Sequence, residues 1–360
     1  MNQINLAEID KNFAVEQSFE RTDITAYNVL NAPFSIHGLV LPKDENDGFH
    51  RLSDDNVANL NKNIARLQTH TAGGRVRFKT DSSFIGIRPI LYNSSRLAHF
   101  SYTGSIGFDL FVKLPDGKQK HCHTFAPPVK PGDEYIGQKV VEGGSMREYI
   151  INFPLYSSVK RLEIFLENGA HIEAPDKYTY ETPIVYYGSS ITQGACASRP
   201  GTSYESIISR RFDCDYINLG FAGNAKGEPE MAQYIANLDM SILVYDYDHN
   251  APTDEHYEST HEAMFLTIRE AHPDLPVIFL NRPSYHFNPT LAARRMAITK
   301  KTYQNALDRG DKNVYFIDSR DFYAEGVDTT ILVDGCHPND LGFWFMAKRI
   351  GDEIQKILEK

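Results

Sequence analysis

The sequence predicts two domains of different class: an all-β sandwich or jelly roll, followed by a three-layer parallel α/β sheet. Three observations carry this. From Pro183 onward, apolar runs at Ile184–Tyr187, Tyr216–Leu219, Ile242–Tyr245, Val277–Leu280 and Val314–Ile317 alternate with helical segments. Five buried strands joined by crossover helices specify a parallel sheet. Before that point, short strands follow one another closely, cut by turns and without long helices. Finally, 360 residues exceed a single ordinary core. The expected domains are 1–177 and 178–360.

In the first half, Val57, Leu60, Ile64 and Leu67 recur at helical spacing, which predicts a helical turn over Asp54 to Arg66. Strands are expected at Gly74–Thr80, Ser83–Ile90 and Gly107–Lys113. The turn Pro115-Asp116-Gly117 then returns the chain through Lys118–Phe125. Later strands are expected at Arg147–Phe153 and Val159–Leu166. His121 and His123 share one strand face, either as metal ligands or as ordinary surface or core histidines; no third ligand lies near them in sequence. The run Lys43-Asp44-Glu45-Asn46-Asp47 reads as a solvated loop. The stretch Gly169–Pro183 holds Ile172, Pro175, Tyr178 and Tyr180 and no Gly/Ser-rich spacer, so it reads as pinned to a surface rather than as a tether. In the second half, helices are expected at Tyr204–Phe212, Pro229–Leu238, His256–His272, Leu291–Leu307 and Leu341–Leu358.

Composition narrows the function classes. With 37 basic against 47 acidic residues, the formal charge is −10, which argues against a general nucleic-acid or anionic-membrane surface. No run approaches a membrane span, and Met1–Asp10 has neither a basic nor an apolar leader region. The expected location is cytoplasmic, or periplasmic or secreted if a leader has been removed. The four cysteines, at 122, 196, 214 and 336, form no Cys-x-x-Cys pair and read as free thiols.

The chemistry centres on Ile184-Val185-Tyr186-Tyr187-Gly188-Ser189-Ser190-Ile191, a strand running into a sharp turn. Such a turn exposes the Ser190 hydroxyl beside backbone N–H groups, as an acyl-transfer nucleophile requires. Asp334-Gly335-Cys336-His337 stands before the last helix. An Asp and a His three residues apart on one loop can pair as orienter and base. With these blocks the chain resembles the GDSL/SGNH hydrolases, serine esterases on a flavodoxin-like sheet. Gly188-Ser189-Ser190-Ile191 is similar to their first block, with Ser189 where an Asp is usual. Asn218-Leu219-Gly220-Phe221-Ala222-Gly223-Asn224 is similar to the second, and Asp334 and His337 match the last. The resemblance implies Ser190, His337 and Asp334 as a catalytic triad. It also implies an oxyanion hole from the Ser190 and Gly223 N–H groups and an asparagine amide. Asn250 is aligned with that asparagine, although the usual Gly-x-Asn-Asp block is not intact in Tyr245–Asn250; otherwise Asn250 only caps the turn before Ala251-Pro252.

Gly107-Phe108-Asp109-Leu110-Phe111 resembles the Gly-x-Asp-Leu-Tyr signature of a β domain that precedes one branch of these hydrolases, with Phe111 replacing the tyrosine. Asp109 reads either as a turn or edge-strand carboxylate or as a group facing the cleft. Arg199 reads as a contact to a polar substrate or to a carboxylate across the domain seam. Glu228, or Glu230, could reach a substrate hydroxyl, but acidic residues also suit a first helical turn. Asp246, Asp248 and His249 could gather a cation, although solvation or loop hydrogen bonds explain them as well. One of Phe343, Trp344 and Phe345 is expected to pack under the Asp334–His337 loop. The β domain is expected to pack beside the Ser190 and His337 loops, with loops such as that near Asp109 narrowing the cleft. The implied activity is hydrolysis of small acyl, especially acetyl, esters of a carbohydrate or other polar alcohol, with no metal or other cofactor. The alternatives are a thioesterase, a lysophospholipase-like esterase, an acyltransferase, or a catalytically silent carbohydrate-binding protein.

Overall fold

The computed structural model describes residues 15, 18–44, 47–53, 60–94, 97–129, 132–323, 327 and 330–360. The sequence readings on Met1–Asp10, on Glu45 and Asn46, and on the start of the Asp54–Arg66 helix lie outside these residues. The helix that is described there is α1 (Lys62–Leu67), capped by the Asn61 side chain.

Among the described residues, ten strands build the first domain: β1 (Ile24–Asn28), β2 (Ser35–His37), β3 (Arg75–Thr80), β4 (Phe84–Ser94), β5 (Phe108–Lys113), β6 (Gln119–Phe125), β7 (Gly137–Val140), β8 (Arg147–Asn152), β9 (Ser157–Glu167) and β10 (Ile172–Glu173). One sheet runs β1-β9-β4-β7; the other runs β10-β3-β8-β5-β6, with β2 added on β3. Every pairing among the described residues is antiparallel. The inward faces, Ile85, Ile87 and Ile164 from one sheet and Val76, Phe78, Leu110 and Ile151 from the other, close a shared apolar core. That is a sandwich, as the alternating side chains of each strand require. A short helix, α2 (Tyr102–Ser105), interrupts it between β4 and β5.

Among the described residues, the second domain alternates strand and α-helix: β11 (Tyr180–Gly188), α3 (Tyr204–Phe212), β12 (Cys214–Gly220), α4 (Pro229–Ala236), β13 (Ile242–Asp246), α5 (Asp254–Ala271), β14 (Val277–Phe279), α6 (Pro289–Asp308), β15 (Val314–Phe316) and α7 (Asp340–Leu358). The sheet is parallel in the order β12-β11-β13-β14-β15, so the order reverses beside β11. Period-two alternation separates its faces. Ile184, Tyr186, Ile242 and Val244 bury against Ile208 of α3 and Phe343, Met346 and Ile350 of α7. Val185, Tyr187, Leu243 and Tyr245 bury against Ile235 of α4 and Phe265 of α5. Of the three terminal-helix aromatics, Phe343 is the buried one, stacked on Tyr204, while Trp344 is exposed.

The sandwich core stays separate, but residues of the first domain complete both faces of the parallel sheet across the seam. Leu52, Ile64 and Leu67 of the first domain join one face of the parallel sheet, and Ala72, Leu155 and Tyr156 join the other. Buried Arg51 reaches across and donates to the Gly220 carbonyl at 2.5 Å and to the Leu67 carbonyl at 2.7 Å, its guanidinium over the Phe221 ring. Arg75 pairs with Asp215, which also meets His37 Nδ1 at 2.9 Å. Between the domains, Tyr178 lies under the Arg77 guanidinium and accepts from Arg75 Nε.

Candidate functional site

Strand β11 ends at Gly188, where a Cβ would sit 2.1 Å from both the Asp246 carbonyl and the Thr192 hydroxyl; only glycine fits. The chain then folds into a tight turn, closed by Gln193 N–H to Ser189 O and Ala195 N–H to Ser190 O. Buried Ser189 caps this turn by accepting the Ile191 N–H. Ser190 is thereby left half-exposed at the carboxyl end of the central strand, at the point where strand order reverses.

His337 Nε2 stands 2.8 Å from Ser190 Oγ, and its Nδ1 stands 2.7 Å from Asp334 Oδ2. The other Asp334 oxygen accepts the backbone N–H groups of Cys336 and His337, so one carboxylate holds both the ring and the loop that carries it. Burial raises the Asp334 carboxyl, but these N–H groups and the imidazole outweigh it and hold it down at about 2. The carboxylate is therefore ionised at any pH at which the imidazole acts as a base, and it fixes the tautomer with hydrogen on Nδ1.

Gly223 lies in the turn after β12 with φ +69°, and the space where its Cβ would point is open. Among the described residues, no protein acceptor takes the Gly223 or Ser190 N–H. The Asn250 amide donates one N–H to the Phe221 carbonyl at 2.9 Å, tying the turn after β13 to the Gly223 turn; an amide carries a second hydrogen. Gln193 links the three parts. Its oxygen accepts the Ala222 N–H, and its nitrogen reaches His70 and the Leu155 carbonyl of the first domain.

The first domain closes one side of the site. Tyr156 donates to the Ser190 carbonyl at 3.1 Å, and the Phe100 ring lies between Tyr156 and His337, edge-on to both. His99 Nε2 is 3.4 Å from Asp334 Oδ2. Nothing in the sequence marks these residues, which sit in no motif and meet the triad only through folding. Hollows of about 430 Å³ at Leu97, Phe100 and Tyr102, and about 320 Å³ at Cys196, Thr330 and Leu341, adjoin the site. A larger one of about 670 Å³ lies on the sandwich among Lys79, Lys113, Glu142 and Arg147, and holds none of the groups just described.

Residues 181–359 match the GDSL-like lipase/acylhydrolase family, and residues 24–172 match the GxDLY domain found at the N-terminus of SGNH-hydrolase-type esterases. The chain belongs to the GDSL/SGNH hydrolases. Among solved structures, this hydrolase superposes on a candidate GDSL-like lipase from Bacteroides ovatus with a TM-score of 0.81 at 29% identity, covering 93% of this chain and 98% of that one. It shares the fold of a salicylyl-acyltransferase from a tetracycline biosynthetic pathway (TM-score 0.76, 17% identity, 94% and 98% covered). It also shares that of an acetyl xylan esterase from the rumen bacterium Butyrivibrio proteoclasticus (0.56, 12%, 93% and 99%). No curated protein sequence matches it. Among the described residues, no helix is long and apolar enough to cross a membrane.

Three of the expected substrate contacts in this hydrolase are engaged elsewhere. Asp109 is wholly buried and faces the seam, not the cleft: it accepts from Asn152 Nδ2, Arg199 Nη1 and the Gly201 N–H at 2.7–2.9 Å. A carboxylate on a central strand of the sandwich, beside an arginine of the other domain, is drawn to that charge. Arg199 is accordingly the partner across the seam. The sandwich segments that reach the site are 97–103 and 154–156, not the neighbourhood of Asp109. Glu228 accepts from the Lys226 N–H, the Tyr187 hydroxyl and Asn61, which orders the turn before α4.

Beneath the triad, Asp248 is wholly buried and paired with Arg282, so it is not solvated. Burial and the neighbouring Asp248 push the Asp246 carboxyl up to about 8, and burial lowers His249 to about 4. His249 Nδ1 lies 3.7 Å from Cys336 Sγ. Burial, with Asp334 and Cys336 adding, raises the Cys196 thiol to about 12, so it is no nucleophile in its free state.

Proposed function

We propose that this protein is a serine esterase that removes small acyl groups, acetyl above all, from a carbohydrate or another polar alcohol. The observation that carries the reading is the unbroken relay from Ser190 Oγ through His337 to Asp334, at 2.8 and 2.7 Å. In the first step His337 Nε2 takes the Ser190 proton while Oγ attacks the ester carbonyl. The Ser190 and Gly223 N–H groups and the second Asn250 N–H donate to the oxyanion, and His337 returns the proton to the leaving alcohol. Water deprotonated by the same imidazole then releases the acid and frees Ser190. Asp334 stabilises the imidazolium in both halves. The small acyl group and the polar alcohol are both supported by likeness in fold to carbohydrate esterases, among them an acetyl xylan esterase.

The test is titration with an organophosphonate followed by an ester panel. One adduct per chain on Ser190 is expected, with acetylated sugars turned over better than long-chain aryl esters or thioesters. No Ser190 adduct would sink the serine mechanism; rates that climb with acyl length would sink the substrate class. Asn250→Ala is expected to lower kcat by roughly 10²–10³-fold, the typical cost of one oxyanion donor. A loss under about threefold would leave Asn250 only its bond to Phe221.

A further inference from the structure

Three metal-ligating side chains from three separate segments converge beside the triad. His99 comes from the sandwich, Cys196 from the turn after Ser190, and His337 from the C-terminal loop; one ligand atom of each lies within 4.8 Å of the others. The Asp334 carboxylate stands alongside, 3.4 Å from His99 Nε2 and 2.7 Å from His337 Nδ1. Two imidazoles, a thiol and a carboxylate are a borderline-soft donor set of the kind that holds Zn²⁺ four-coordinate. Bonds of about 2.0 Å to nitrogen and 2.3 Å to sulfur place tetrahedral donors roughly 3.3–3.5 Å apart. The cluster is therefore open by about 1 Å relative to that geometry.

His99 can close this gap, because its side chain is 43% exposed on a loop. Cys196 is fixed instead. It is buried, and its φ of +70° is a left-handed conformation shared among described non-glycine residues only with Asp213. A glycine would take that conformation without strain, yet the position carries a thiol within 4.8 Å of a ring nitrogen of each histidine, its sulfur 3.8 Å from the His99 carbonyl.

We propose that His99, Cys196 and His337, with Asp334 beside them, form a site for Zn²⁺ or a similar thiophilic divalent cation, and that filling it stops hydrolysis. On binding, the Cys196 thiol gives its proton to solvent and a metal–sulfur bond replaces the S–H bond; nothing is oxidised or reduced. A His337 nitrogen bound to the metal is lost to catalysis. If it is Nε2, the bond to Ser190 is broken; if it is Nδ1, the bond to Asp334 is broken. With His99 bound as well, the cation spans from the sandwich to the triad loop. Stopping of turnover rests on the reading of His337 as the general base, whereas binding does not.

The test uses the full chain, stripped with a chelator and titrated with Zn²⁺ while aryl acetate turnover is followed, and separately with Co²⁺ for its thiolate charge-transfer band. One metal per chain is expected, with turnover falling at least about tenfold and restored by chelator. Cys196→Ser should abolish the cobalt band. Cys196→Ser and His99→Ala should each raise the half-inhibiting Zn²⁺ concentration by about 10–100-fold or more, measured against the variant's own metal-free rate. Cys122→Ser, on β6 of the sandwich, serves as the control for band and inhibition alike. Failure to bind metal, or a band and inhibition that persist in both site variants, overturns the site. Stoichiometric binding with the expected band but undiminished turnover overturns the inhibitory switch and the assignment of His337 as base, while the ligands stand.

Discussion

Pure Ser190→Ala and His337→Ala variants are expected to lose 10³-fold or more in kcat on an acetyl ester, and the double variant to be little slower than either single one. The reason is that the two residues act as one device. Without the hydroxyl there is nothing for the imidazole to deprotonate, and without the imidazole the hydroxyl stays a weak nucleophile. What survives should come from the oxyanion donors and from substrate binding, which neither change removes. Because Ser190 is only half-buried and both replacements leave the Ser189 cap and the Asp334 carboxylate in place, thermal unfolding should move little. Steady-state kinetics beside a melting curve checks both halves. Near-normal turnover by Ser190→Ala would remove it as nucleophile, and multiplicative losses in the double variant would show that the two residues work independently.

Asp109→Ala is expected to act in the opposite manner, costing stability first. Its carboxylate gathers Asn152 of β8, Arg199 and the Gly201 N–H at full burial. Deleting it strands a guanidinium whose side chain is 22% exposed and a buried backbone donor. Breaking a buried pair from one side typically costs about 3–5 kcal/mol, and the partial exposure of Arg199 puts the expectation at the lower end, about 3 kcal/mol. A larger residue at Gly201 would not fill the gap, since its Cβ would come 2.5 Å from Phe111 Cε2. Urea unfolding with an unchanged slope measures the loss. A cost below about 1 kcal/mol would mean the seam is held elsewhere, chiefly by Arg51 and Arg75.

The parallel sheet was legible because burial on both faces writes itself as continuous apolar runs such as Ile242–Tyr245, and helices such as Tyr204–Phe212 carry their own periodicity. Within the sandwich, β3, β5 and β8 read as strands, whereas Ser35–His37, Gly137–Val140 and Ile172–Glu173 did not. Segments of two to four residues have too few side chains to show alternation, and they are extended because a neighbouring strand offers hydrogen bonds. The site divides on the same line. Ser190 sits on a turn whose glycine and serines announce it, and Asp334 and His337 are neighbours on one loop. Tyr156 and His99 are separated from their partners by tens or hundreds of residues, with ordinary sequence around them. Asp109 was visible as a residue, but its direction was not, since one strand presents carboxylates to a cleft and to a seam with equal ease until the partner surface is known.

The residues shared across the seam make the pair of domains, rather than either one, the unit that can be exchanged between relatives. A catalytic half moved alone would carry the Gly220 carbonyl without Arg51, and Arg199 without Asp109. A sandwich borrowed from elsewhere would have to bring both groups at the right height, along with Tyr156 for the Ser190 carbonyl. Recombination at the junction near Tyr178 would therefore join surfaces that must already match, down to the Ser101 and Thr103 hydroxyls on the Ser198 carbonyl.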